Sequence, residues 1–298
     1  MDALHEWGYD VILWMQQFSP ELDATAKAIT TLGAEQAFLL ILPVVFWCWD
    51  KRIGARLGVL LMLSAYANLV IKDLFDQPRP SADRVEILAE ETTPGFPSGH
   101  SQNSVVVFGY LAAQIGRPWA WPAAALIALA VGLSRIYLGL HFPTDVLGGW
   151  LIGIGLLALY IWAEPEVESR VRPWPWAYKL AIAVIAPLAL FLIFPNEYSA
   201  QLMGVLLGLA SGFLVELRWV GFSAGGPLWQ RALRFIVGVA VLIVVWLGTK
   251  AIFPSEPETT ARFFRLLRYA LVGGWASLGA PWLFVSVGLA PRESEAWR

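Results

Sequence analysis

The chain keeps returning to uninterrupted apolar runs close to the length of a bilayer crossing, and this recurrence restricts its fold more than any other feature. In hydrocarbon every backbone N–H and C=O must be satisfied within the segment, which a helix achieves. Nine such segments are expected, at about 34–49, 54–74, 100–116, 119–137, 143–163, 177–194, 200–219, 232–253 and 266–289. Composition agrees, with 57% hydrophobic and only 15% charged residues, where a soluble domain carries about 25% charged. The fold class is therefore all-α, a polytopic membrane helical bundle.

The ends of these segments carry the expected trimmings. Trp47, Trp49, Trp119, Trp121, Trp150 and Trp162 fall near proposed ends, as in an aromatic belt, with core packing the alternative for some of them. Residues 3–18 place Leu4, Trp7, Val11, Ile12, Met15 and Phe18 near helical spacing but are too short to span comfortably. They read as an interfacial amphipathic helix, with a short span as the alternative. Residues 21–33 read as a second surface segment. The start of the chain lacks the basic region of a secretory signal peptide, so the spans are expected to direct their own insertion. If spans alternate, 12 Lys and Arg, Arg298 among them, fall on one side and 9 on the other. The first side is then cytoplasmic by the positive-inside rule. A net charge of -2 gives no reason to expect a nucleic-acid partner, and the single Cys48 allows no disulfide within the chain.

Three polar clusters interrupt the first half, where charge is costly and usually functional. They read K-x6-R-P (Lys72 to Pro80), P-S-G-H (Pro97 to His100) and S-R-x5-H-x3-D (Ser134 to Asp145). Two of the chain's 3 histidines, His100 and His141, lie in them. A phosphate ester needs cations on its equatorial oxygens, an in-line nucleophile and an acid for the leaving alcohol. Lys72, Arg79 and Arg135 supply cations, and the arginines can grip phosphate in bidentate fashion. Singly, each of the three is as well explained by snorkelling to headgroups. Pro97-Ser98-Gly99-His100 opens a helix, whose free N–H groups with the Ser98 hydroxyl and Gly99 make an anion site. His141 and Asp145 are four apart, so the carboxylate can hold one imidazole nitrogen and leave the other free. Chemistry alone does not decide which histidine attacks, though His100 has no carboxylate at helical spacing. Two histidines and an aspartate can also make a metal site, which the three neighbouring cations oppose. No metal and no other cofactor is expected. The intervening loop carries Asp83, Glu86, Glu90 and Glu91. Plain solvation is the expected role of these acids, and gating of a phosphate by repulsion the alternative. His5 lies outside every motif and reads as a surface residue.

This spacing resembles the type 2 phosphatidic acid phosphatase superfamily, which uses the three motifs as one active site. The resemblance covers roughly the first half of the chain. It implies that His141 is the nucleophile, forming a phosphohistidine, that Asp145 orients it, and that His100 protonates the leaving oxygen. It implies phosphate binding by Lys72, Arg79, Ser98, Gly99 and Arg135. The implied function is metal-independent hydrolysis of a lipid phosphate or diphosphate, such as phosphatidic acid, phosphatidylglycerophosphate, a polyprenyl phosphate or a sphingoid-base phosphate. The alternatives are a hydrolase of soluble phosphate esters resembling glucose-6-phosphatase, and a lipid transporter with a vestigial phosphatase core. Haloperoxidases that share the site are soluble, which the composition excludes.

The expected organisation is an interfacial segment over 1–33, a catalytic core over 34–163 and an added bundle of about four helices over 164–298. Residues 164–176 read as a cytoplasmic connector. Gly204, Gly208 and Gly212 form a small-residue stripe, suited to a homo-oligomer face or, more commonly, to an internal contact. The expected setting is a bacterial inner membrane with the site on the extracytoplasmic side.

Overall fold

A computed structural model describes residues 2–253 and 258–293, and Arg298 of the charge tally lies outside them. Its described residues are helical apart from connecting loops and one isolated bridge between Phe222 and Arg292. In chain order the helices are α1 (Asp2–Gln16), α2 (Asp23–Thr30), α3 (Glu35–Pro43), α4 (Lys51–Phe75), α5 (Gly99–Ile115), α6 (Ala120–Tyr137), α7 (Pro143–Val171), α8 (Trp176–Ile193), α9 (Glu197–Val215), α10 (Leu228–Ile252), α11 (Glu258–Gly274) and α12 (Ala280–Ser286). π-helical turns extend α3 to Trp49, α9 to Val220 and α11 to Gly279.

Six of these helices are long and apolar enough to cross a membrane, and a seventh span arises if the pair 23–33 and 35–49, bent by 52°, counts as one. The chain is an integral membrane protein, and three of the nine expected segments are not among these six helices. The first, 34–49, is the second arm of the bent pair. α5 stops after 17 residues, where Gly116 adopts the left-handed conformation at φ 65°. The last segment is broken by a π turn, and the helix before it carries Arg262, Arg265 and Arg268. The connector expected over 164–176 begins as the final turns of α7, which run to Val171, and continues as the loop that leads to α8 at Trp176. The tryptophans divide as well. Trp49, Trp119, Trp121 and Trp162 are exposed, whereas Trp47 is buried and donates its indole N–H to the Ala276 carbonyl at 2.8 Å.

The chain packs as two units, Met1–Leu39 with Leu63–Pro165 and Leu40–Met62 with Glu166–Arg298. In the first, α5 is the hub. Its polar N-terminal half faces α4, and α7 approaches its backbone closely because Gly149 and Gly153 carry no side chain there. A Cβ on Gly153 would lie 2.7 Å from the Gln102 carbonyl oxygen. The amphipathic α1 buries Tyr9 and Ile12 against Phe142, Ile136 and Val146 and leaves Leu4, Trp7 and Trp14 exposed. α2 is more than a surface segment, since it packs on α6 and its Asp23 accepts the Tyr137 hydroxyl at 2.7 Å.

In the second unit the glycine stripe makes an internal contact. A Cβ on Gly208 would run into the Ala270 carbonyl of α11, and Ser277 donates to the Gly208 carbonyl at 3.2 Å. Backbones packed this tightly are the usual consequence of small residues at a membrane helix interface. Two buried cations tie the loops together. Lys51 pairs with Glu216 and Glu293, each at 3.0 Å, and Arg234 donates to the Ser223, Gly225 and Gln230 carbonyls.

Candidate active site

Within the first unit each motif residue stands at or just beyond a helix end, and these ends converge. Lys72 lies in the last turn of α4, where a cation meets the negative end of the helix dipole. Ser98 is the N-cap of α5, and its buried Oγ accepts from the Ser101 N–H at 3.5 Å and the Ser101 hydroxyl at 3.0 Å. Gly99 and His100 are the first two residues of that helix. Arg135 sits in the last turn of α6, and His141 in the link to α7. Asp145 occupies the third position of α7, behind Pro143, and its Oδ2 accepts the Phe142 N–H at 2.9 Å. That is the reach of an N3 carboxylate back to the N-cap amide. The Ser98 N–H donates to the Asp145 carbonyl at 3.0 Å, which fastens the start of α5 to the start of α7.

His141 is buried with a partner on each ring nitrogen. Nδ1 faces Asp145 Oδ2 at 3.4 Å, and Nε2 lies 3.1 Å from Arg79 Nη1. A guanidinium has no acceptor, so Nε2 must present its lone pair to Arg79 and Nδ1 must carry the proton toward Asp145. Burial holds the His141 pKa well below its ordinary 6.5, and the charges of Arg79, Arg135 and Lys72 push it the same way. The imidazole is therefore neutral, with a lone pair aimed at the cations. His100 makes no side-chain hydrogen bond among the described residues, and lies within electrostatic range of Arg135, Arg79, Lys72 and His141.

The cations are anchored by the loop that precedes the second motif. Lys72 donates to the Pro94 carbonyl and, at 3.4 Å, to that of Gly95. Arg79 donates from Nε to the Thr93 carbonyl at 2.6 Å, from Nη1 to the Leu140 carbonyl at 2.6 Å and from Nη2 to Thr93 Oγ1 at 3.1 Å. Arg135 donates to Thr30 Oγ1 at 3.0 Å and pairs with Glu91 Oε1 at 2.5 Å, while the second oxygen of Glu91 lies 3.8 Å from Arg79. Of the loop acids, then, Glu91 has a specific berth rather than plain solvation. Arg135 Nε is buried without a hydrogen-bond partner. Among the described residues no group of three His, Cys, Asp or Glu is placed to hold a metal ion.

Sequence reasoning missed a layer of neutral polar residues behind the motifs. Asn68, one turn before Lys72, donates to Gln102 Oε1 at 2.9 Å and to the Pro97 carbonyl at 3.3 Å. Gln102 donates to the Ser64 carbonyl at 2.8 Å and to its hydroxyl at 2.9 Å, and that hydroxyl donates to Asn103 at 2.7 Å. All of these carry no charge yet sit inside apolar helices, and that oddity in the sequence is the signal that could have found them. Thr30 and Thr93 carried no such signal. Nor is His5 simply a surface residue, because its ring stacks on Phe142 at 4.7 Å, directly beside His141.

Comparison with known proteins matches this architecture. The family model of the PAP2 superfamily matches residues 53–168, and that of its phosphatase transmembrane extension matches residues 200–292. Phosphatidylglycerophosphatase B of Bacillus subtilis is 34% identical over 163 residues, which cover 50% of this chain and 78% of that protein. Lipid phosphate phosphatase delta of Arabidopsis thaliana is 24% identical over 263 residues, 78% of this chain, and the match spans 63% of the plant protein's length. The crystal structure of a transmembrane PAP2-type phosphatidylglycerolphosphate phosphatase from Bacillus subtilis superposes with a TM-score of 0.51 at 27% identity, covering 56% of this chain and 89% of that one. With the helix ends, the cations and the histidine–aspartate pair all in one unit, the chain belongs to the PAP2 superfamily.

Proposed function

We propose that this protein is a membrane-embedded phosphatase that hydrolyses a lipid phosphate or diphosphate through a phosphohistidine on His141, with no metal ion. The observation that carries the reading is the His141 ring, held by Asp145 on Nδ1 and turned with its Nε2 lone pair toward Arg79. Nε2 attacks phosphorus while Lys72, Arg79 and Arg135 neutralise the oxygens on which charge accumulates. Asp145 stabilises the positive imidazole that forms. Once the bound phosphate dianion offsets the surrounding cations, His100 takes up a proton, donates it to the leaving oxygen, and then takes one from the water that cleaves the phosphohistidine. Ser98 and Gly99, at the start of α5, contribute the positive end of a helix dipole.

A lipid is favoured over a soluble ester by the surroundings of Lys72. Leu74 and Phe75, just past it at the end of α4, are 75% and 53% exposed, apolar surface suited to an acyl chain. The relatives act, by their names, on phosphatidylglycerophosphate, on lipid phosphates and on sphingosine 1-phosphate, which all present a phosphate on an apolar tail. The charge tally favours a site on the extracytoplasmic face, and the setting in this reading is the inner membrane of a bacterium. The test is phosphate release by the purified protein from lipid monophosphates, lipid diphosphates and sugar phosphates, each with EDTA present. Release from one lipid class at an undiminished rate is expected. Activity confined to sugar phosphates, or lost in EDTA and restored by magnesium or zinc, refutes the reading.

A further inference from the structure

Glu91 stands where a substrate phosphate belongs. Its Oε1 is 2.5 Å from Arg135 Nη2 and its Oε2 is 3.8 Å from Arg79 Nη2, so two oxygens on one atom bridge the two arginines of the first and third motifs. One oxygen is hydrogen-bonded and the other only within ion-pair range, on the same two arginines that the phosphatase reading assigns to phosphate oxygens. The partners differ in freedom. The Arg135 side chain is 3% exposed and ends a helix, whereas that of Glu91 is 26% exposed and sits in the loop between α4 and α5. The carboxylate also leaves its berth half filled, because Arg135 Nε is buried with no hydrogen-bond partner. A tetrahedral phosphate has a further oxygen for that donor, and a planar carboxylate does not. Both anions cannot sit on the arginines at once, since like charges at such separations repel strongly outside bulk water.

We propose that Glu91 is an internal, displaceable occupant of the phosphate site, which swings out toward solvent when a phosphate enters and thereby sets affinity for substrate and for released phosphate. This deepens the phosphatase reading and rests on it for the identity of the site. The loop acid is thus a competitor acting through Arg79 and Arg135, whose effect falls more on KM and on product inhibition than on kcat. Its neighbour Glu90 is exposed and makes no contact with either arginine, which provides an internal control.

The experiment is titration of the detergent-purified protein with inorganic phosphate by calorimetry, alongside steady-state hydrolysis of a lipid phosphate, for wild type, Glu91→Gln, Glu91→Asp and Glu90→Gln. Glu91→Gln is expected to bind phosphate about two- to fivefold more tightly, the scale of one partly exposed ion pair, with KM falling in parallel. Glu91→Asp keeps the charge but shortens the reach, gives a smaller gain, and carries the test if the Gln variant does not purify. Glu90→Gln is expected to match wild type. Unchanged or weaker phosphate binding in both Glu91 variants overturns the proposal, as does an equal gain in Glu90→Gln, which would reflect the loop's general field. Tighter phosphate binding in Glu91→Gln without hydrolysis of any ester sustains the displaced carboxylate and refutes the phosphatase. Hydrolysis by wild type with no gain in the Glu91 variants does the reverse.

Discussion

The substitution Asp145→Asn separates charge from position beside His141, the proposed nucleophile. In the structure one oxygen, Oδ2, serves both the Phe142 N–H at 2.9 Å and His141 Nδ1 at 3.4 Å. A carboxamide that turns its oxygen into that place keeps both contacts and loses only the negative charge. In the proposed mechanism that charge acts when His141 Nε2 bonds to phosphorus and the imidazole becomes positive. Two unit charges 3.4 Å apart interact by about 5 kcal/mol at an effective dielectric constant of about 20. With roughly half the charge developed in the transition state, the loss is about 2–3 kcal/mol, or roughly 30- to 200-fold in kcat/KM. Asp145→Ala also orphans the Phe142 amide, and is expected to lose about 1 kcal/mol of stability besides. The assay is steady-state hydrolysis of p-nitrophenyl phosphate, with rapid-quench trapping of acid-labile phosphate on the protein and a thermal melt as control. Asp145→Asn within threefold of wild type, or as inert as His141→Ala while melting normally, would refute the electrostatic account.

Three other outcomes follow from the same geometry. His100→Ala is expected to lose roughly 10²- to 10⁴-fold on a lipid phosphate but far less on p-nitrophenyl phosphate, whose leaving group hardly needs a proton; equal losses on both would remove His100 from that step. Since burial holds His141 neutral, the acid limb of kcat/KM set by this ring should fall well below pH 6.5, whereas a limb at the ordinary histidine value would contradict the burial. The stability sign is the same, because the unfolded chain binds the extra proton first, so the contribution of His141 to stability is present above about 6.5 and declines as pH falls below it. In a Cys48→Ser background, a cysteine at Glu90 should react with a membrane-impermeant thiol reagent from the extracytoplasmic side, and labelling of Arg170→Cys instead would invert the topology.

The parts of the site that were legible in the sequence are those fixed by local geometry. Lys72, Ser98, Arg135 and Asp145 announce themselves because helix ends need particular residues and because charge inside an apolar stretch is conspicuous. The His141–Asp145 pair was expected from their spacing of four, although His141 lies just ahead of α7 and meets Asp145 because that carboxylate reaches back to the Phe142 N–H. Glu91 was not legible in the same way. Its partner Arg135 is 44 residues distant in the chain, and nothing in an acidic loop distinguishes the acid that meets an arginine from the three that do not. Thr30 is more remote still, 105 residues from Arg135, on a segment whose sequence reads only as amphipathic.

The span count differed for a related reason. Hydropathy reports how apolar a stretch is, not where its helix ends: α3 is one arm of a pair bent by 52°, α5 ends at Gly116 after 17 residues, and α11 carries Arg262, Arg265 and Arg268. The short α5 has a consequence for the chemistry. Its N-terminal half holds Gln102 and Asn103, which hydrogen-bond Ser64 and Asn68 of α4, and Ser101 and Ser104, which bond back within the start of the helix, while its backbone lies against Gly149 and Gly153 of α7. A helix clasped on both sides in this way cannot tilt without breaking the Asn68–Gln102 hydrogen bonds, so the position of His100 is fixed from behind. Hydrogen bonds between membrane helices contribute only about 0.6–2 kcal/mol each, but here several act on one helix start. The same start is joined through the Ser98 N–H to the carbonyl of Asp145. His100 at the start of α5 and His141 in the link to α7, the proposed acid and nucleophile, are thereby held in one register.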